Sequence, residues 1–167
     1  MAGPRGQVGR PWAGNSGEGL RARRRIRHAL RWMTIVMTYL WIALGSALGG
    51  MARFWCSGFV ADRIGGTFPW GTLLVNVVGS FIIGFFATLT GPDGRLLVAP
   101  DLRQFVMVGV CGGYTTFSSF SLQTLMLVQD GEWLQVAGNI LLSVGACLVA
   151  VWLGHVAASV FNQLQGA

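Results

Sequence analysis

Thr72, Asn76, Ser80 and Gly84 recur every four residues through one apolar stretch, and Gln135, Asn139, Ser143 and Cys147 do so through another. On a helix each set falls on one face. Hydroxyls and carboxamides there can bond a neighbouring helix or line a polar path, and the stripes alone leave both readings open. A third constellation, VGVCGGYTTFSSFS (108–121), sets Gly112-Gly113 and Thr115-Thr116 inside an apolar run. Adjacent glycines and β-branched residues weaken a continuous helix, so a break is expected at 112–115. A break would release backbone groups that need protein, water or an ion as partner. Phe117 and Phe120 then share a face of the following half-helix. A Phe pair is ordinarily core, but beside Thr116, Ser118 and Ser119 it can also edge a route.

The chemistry these groups offer is donation. The central parts of the first three apolar stretches hold no Asp or Glu. A carrier of cations or protons would normally place a carboxylate there. What remains are the Asn76 amide, the hydroxyls of Thr72, Ser80, Thr116 and Ser143, and Arg53. Aromatic edges add partial positive charge. Donors with ring edges suit an anion, and close replacement of its water is the selectivity device that a small anion requires.

Four elements must position these residues. Apolar stretches run over roughly 34–58, 70–90, 103–129 and 133–158, joined by the short connections ADRIGGTFP, GPDGRLLVAPD and QDGE. Each is long enough to cross a ~30 Å hydrocarbon core as a helix. In the first, Gly45, Gly49 and Arg53 share a face, and Gly45-x-x-x-Gly49 permits close helix contact. Of the 167 residues, 53% are hydrophobic and 11% charged. A soluble domain carries about 25% charge, so the composition argues for lipid as solvent. The length holds four spans and excludes an added catalytic domain.

The charge is concentrated at one end. Eight of the twelve Arg precede the first apolar stretch and, against Glu18 alone, give that segment +7; the other four face five acids, giving −1. Residues 1–32 are expected to form a disordered basic arm meeting anionic headgroups. Nucleic acid is not expected as a partner, since regular aromatic interleaving is lacking. Arg53 and Arg63 in the 1–2 region balance Arg95 and Arg103 in the 2–3 region. Without the arm the core has no preferred orientation; with it, the N-terminus is held in the cytoplasm. Met33 and Met37 are plausible chain starts, and a start at one of them is the preferred reading. No cleavable signal peptide is expected. Cys56, Cys111 and Cys147 lack CxxC spacing, and neither His28 nor His155 has a ligand-spaced partner. Redox chemistry and a His/Cys metal site are therefore not expected.

The segments GSALGGMAR (45–53), WGTLLVNVVGSFIIG (70–84) and GVCGGYTTFSSFS (109–121) together resemble the Fluc-type fluoride channels, also called the CrcB family. The likeness covers about 37–158. It implies an all-α membrane protein of four transmembrane helices, the third broken mid-membrane, paired as an antiparallel dual-topology dimer. The domain division expected is a basic arm (1–32), a channel domain (33–160) and a short C-terminal tail (161–167). The implied function is passive export of fluoride through pores at the dimer interface of a bacterial plasma membrane protein that is not an enzyme. By the family pattern Asn76 is the pore asparagine, with Thr72 and Ser80 nearby, Phe117 and Phe120 meet the anion, and Arg53 lies near the vestibule. Thr116, Ser119, Asn139 and Ser143 complete the expected lining. A structural sodium is implied at the dimer centre, held by backbone carbonyls of Gly112 and Thr115. The chain departs from the family at Asn139, often Tyr, and at Cys147, often Ser or Gly. The arm is a third departure, because antiparallel pairing needs both orientations; a homodimer or a heterodimer with an inverted paralogue would satisfy it.

Three other readings fit the length. A small multidrug exporter would need a membrane Glu in the first span, which has none. A thiol oxidoreductase would need paired Cys. A structural membrane subunit leaves the 112–120 pattern without a purpose.

Overall fold

The computed structural model describes residues 16–92 and 94–164, with side chains from Arg21 onward, Ala22 excepted. The elements are α1 (Ser16–Ile64), α2 (Trp70–Leu89), α3 (Pro100–Gln104), a π-wound segment (Phe105–Cys111), α4 (Gly112–Tyr114), α5 (Phe117–Gln129) and α6 (Trp133–Leu164). No strand occurs among the described residues. Among the described residues four helical stretches are long and apolar enough to cross a membrane: Arg23–Ile64, Trp70–Leu89, Pro100–Gln129 and Trp133–Leu164. They match the four expected spans in number and order, and the first and last extend well beyond the expected ends.

The chain divides into two compact units, Met1–Met37 and Thr38–Ala167. In the first, helix already runs through residues 16–32, where disorder was expected; residues 1–15 lie outside the described residues. Residues 20–36 contain neither Gly nor Pro and are rich in Arg, Leu and Ala, all strong helix formers.

In the second unit α2 and α6 form an extensive helix pair. Small residues let their backbones touch. A Cβ on Gly84 would meet the Val151 carbonyl, and one on Gly154 would meet that of Phe81. The polar stripes turn inward, towards the third helical stretch. Thr72 and Asn76 are buried on α2, Asn139 and Ser143 on α6. Large apolar side chains such as Leu141, Leu148 and Trp152 point outward, as lipid-facing residues do.

The π-wound segment packs along α1. Trp41 meets Phe105 edge-on at 5.8 Å. A Cβ on Gly45 would lie 2.9 Å from the Gly109 Cα, and one on Gly113 would lie 2.6 Å from the Ser46 carbonyl. Residues four apart drift round an α-helix; the wider π turn offsets that drift, keeping Phe105, Gly109 and Gly113 on one side. Gly45-x-x-x-Gly49 thus serves the close contact expected of it. Gly65 and Gly66, at φ of 64° and 84°, turn the chain out of α1 in a conformation that L side chains rarely adopt.

Candidate functional site

The third helical stretch stops at Tyr114 and restarts at Phe117. Thr115 (φ −80°, ψ 157°) and Thr116 (φ −153°, ψ 113°) are extended between them. The interruption therefore falls at the threonines and not at Gly112-Gly113, which remain helical. The glycine at 113 serves packing, since α1 lies where its side chain would be. The threonines yield because their backbone has other partners. Thr116 N–H donates to Asn76 Oδ1 at 2.7 Å, and Asn76 Nδ2 donates back to the Thr116 carbonyl at 3.0 Å. The carboxamide from α2 replaces the helical bond that the interruption withdraws from the Thr116 N–H, and adds a second bond to a carbonyl that, at the N-cap, also accepts the first bond of α5. The Thr116 hydroxyl then caps α5, accepting from Ser119 N–H at 3.2 Å. Arg53 Nη1, from α1, reaches the Thr115 carbonyl at 3.5 Å.

Two cavities flank this interruption. One, of about 380 Å³, is lined by Asn76, Ser80, Thr115, Thr116, Phe117, Phe120 and Ser143, with Gly112, Cys111 and Cys147. The other, of about 390 Å³, is lined by Arg53, Thr72, Thr116, Ser119 and Gln123 among others. Thr116 belongs to both, so the capped end of α5 stands between them. Neither lining contains an Asp or Glu. Phe117 and Phe120 lie 5.2 Å apart between centroids, tilted by 48°. Phe120 is 9% exposed and Phe117 is 75% exposed.

The expected residues thus divide. Ser80, Asn76, Phe117, Phe120 and Ser143 converge on the first cavity, and Arg53, Thr72 and Ser119 on the second. Asn139 lines neither. It is 1% exposed, donates from Nδ2 to Thr124 Oγ1 at 2.9 Å and accepts from Ser143 Oγ at 3.2 Å, joining α6 to α5. Gln135 is engaged at its helix start by Thr67 and Glu132. Gln123 was not anticipated. Its Oε1 is buried and accepts no hydrogen bond within the described chain. The signal was available, since Gln123 follows Ser119 by one four-residue step on the same face of α5.

Residues 40–155 match the family described as CrcB-like protein, Camphor Resistance (CrcB). The chain belongs to the CrcB family. A relative from Methylocella silvestris is 64% identical over 131 residues, covering 78% of this chain and 100% of the relative. One from Rhodospirillum rubrum is 62% identical over 127 residues (76% and 98%), and one from Opitutus terrae 65% over 129 (77% and 98%). Each bears the name fluoride-specific ion channel FluC. Every residue around the two cavities lies inside the CrcB match, and the Arg-rich first 39 residues lie before it. Membership and the four apolar helices make this CrcB protein a multi-pass membrane protein of bacterial type, and its relatives are named for ion passage and not for a catalysed reaction.

Proposed function

We propose that this CrcB chain is a passive, fluoride-selective channel that lets cytoplasmic fluoride leave the cell. The observation that carries the reading is the high identity to proteins named fluoride-specific channels over their full length. The site's chemistry supports it. The cavities beside the interrupted helix offer hydroxyls, carboxamides, ring edges and one guanidinium, and no carboxylate. Such groups can replace the water around a small anion and repel none of its charge. Neutral HF crosses lipid and ionises inside, so an exit path suffices. An inside-negative potential drives the anion out by about 2.3 kcal/mol per charge per 100 mV.

A second copy completes the path in this reading. Phe117 is a large ring left mostly bare beside a buried partner. An inverted second subunit covers it, whether the same chain or a paralogue, and two pores form along the join. The interruption then lies within the hydrocarbon, where the Asn76–Thr116 pair is needed most.

Sodium fits the backbone at the same place. Among the described residues no cluster of three or more His, Cys, Asp or Glu exists to hold a metal. Carbonyl oxygen is available instead. The ordinary helical partner of the Gly112 carbonyl is Thr116 N–H, which is given to Asn76. Among the described residues the Thr115 carbonyl takes one long bond, from Arg53. Gly112 and Thr115 would hold the ion together with the same pair from the second copy. A bound ion would supply positive charge to which these carbonyls of both chains could turn.

Efflux from liposomes holding the purified protein tests this reading. Rapid fluoride release with negligible chloride release is the expected result, and equal release of both ions would refute it. Phe120→Ile and Phe117→Ile should each lower fluoride flux at least tenfold while preserving bulk. Full flux in both variants would remove the ring edges from the mechanism.

A further inference from the structure

The helical part of the first unit has two unlike sides. Arg24, Arg27 and Arg31 fall on one stripe, and Ile26, Leu30 and Met33 on another roughly 125° away at 3.6 residues per turn. All six side chains are exposed, with Ile26 at 59%, Leu30 at 57% and Met33 at 65%. No acidic residue occurs between Glu18 and Asp62 to neutralise the Arg side. The apolar stretch expected from residue 34 onward would enter a bilayer, and that would tether the basic stretch at headgroup height.

We infer that the Arg21–Met33 stretch of α1 is a docking surface for an anionic lipid leaflet, its arginines meeting phosphates while Ile26, Leu30 and Met33 enter the boundary of the acyl chains. A sided helix with bare aliphatics and a dense basic face has the design of an interfacial helix. Each Arg near an anionic surface favours docking by about fivefold. A nucleic acid would engage the Arg stripe but leave the aliphatic stripe in water. The inference concerns no residue of the cavities and stands apart from the ion the chain carries.

The test uses the full chain reconstituted in phosphatidylcholine vesicles, with or without a quarter of the lipid as phosphatidylglycerol. Trypsin is added outside, and cleavage at Arg21–Arg31 is timed against cleavage at Arg95, which span counting puts on the same side of the membrane. Phosphatidylglycerol should slow cleavage of the stretch about tenfold relative to Arg95. Protection should vanish in ~1 M salt, where the screening length is ~3 Å. The triple variant Arg24→Gln, Arg27→Gln, Arg31→Gln should lose most of the protection while Arg21, Arg23 and Arg25 remain cleavable. A nitroxide at Leu30→Cys should become more accessible to oxygen and less to a nickel chelate in the anionic vesicles, and one at Arg24→Cys should not. Equal cleavage in both lipids would overturn the inference. So would protection in neutral vesicles by an added RNA oligonucleotide that exceeds protection by phosphatidylglycerol. Fluoride efflux measured on the same vesicles reports separately on the channel.

Discussion

Asn76 performs two tasks with one carboxamide. Its oxygen and one N–H hold Thr116. The amide nitrogen has a second N–H, and the residue borders the cavity shared with Ser80 and Phe120. Asn76→Asp removes the donor to the Thr116 carbonyl, sets two acceptors face to face and places negative charge on the proposed anion path. We expect fluoride flux to fall by two orders of magnitude or more and the purified protein to melt earlier, both measurable on one preparation. Unaltered flux would remove Asn76 from the path. Asn76 and its four-residue stripe were legible in the sequence because an amide is conspicuous in an apolar run. Its bidentate grip on Thr116 was not, since a side-chain pair 40 residues apart leaves no periodic trace. Asn139 shows the same limit. Its spacing matched that of a path, while its bonds join two helices, and only the neighbours distinguish the cases.

At the level of elements, the spans could be read from apolar length and from the Gly, Pro and Asp of their connections, while the precise break could not. By intrinsic propensity Gly112-Gly113 and Thr115-Thr116 both weaken a helix. Packing decided between them, because α1 needs a bare backbone at Gly113 and α2 offers a replacement bond to Thr116. The π winding also had no local signature, since it answers to contacts with Gly45 across the interface. The α2–α6 contact gives a matched test within one helix. Gly154→Ala drives a methyl into the Phe81 backbone, whereas a Cβ at Gly145 meets nothing within 4 Å. The former should cost about 1–3 kcal/mol, the magnitude of overpacking, and the latter less than about 0.5 kcal/mol. Thermal unfolding in detergent checks the difference, and equal loss in both would contradict the backbone contact.

For the molecule as a whole, most large apolar side chains face outward and the buried set is small. The solvent for this fold is lipid, as the 53% hydrophobic composition implied. Pairing with a second copy was suggested by the resemblance and belongs to the proposed function. If sodium joins the copies, exchanging it for N-methylglucamine on both sides of the liposome should slow fluoride efflux and weaken cross-linking between subunits, with recovery on its return. Efflux and cross-linking indifferent to sodium would leave the Gly112 and Thr115 carbonyls to water.

The clasp of Asn76 on Thr116 has a consequence for tracing ancestry. Deleting it would strand the buried Thr116 N–H without a partner, a penalty of several kcal/mol whatever the traffic. A descendant that had abandoned halide passage would still retain the asparagine to stay folded. Meeting that amino acid in a remote sequence therefore testifies to a severed rod at the facing position, and leaves open whether anything flows.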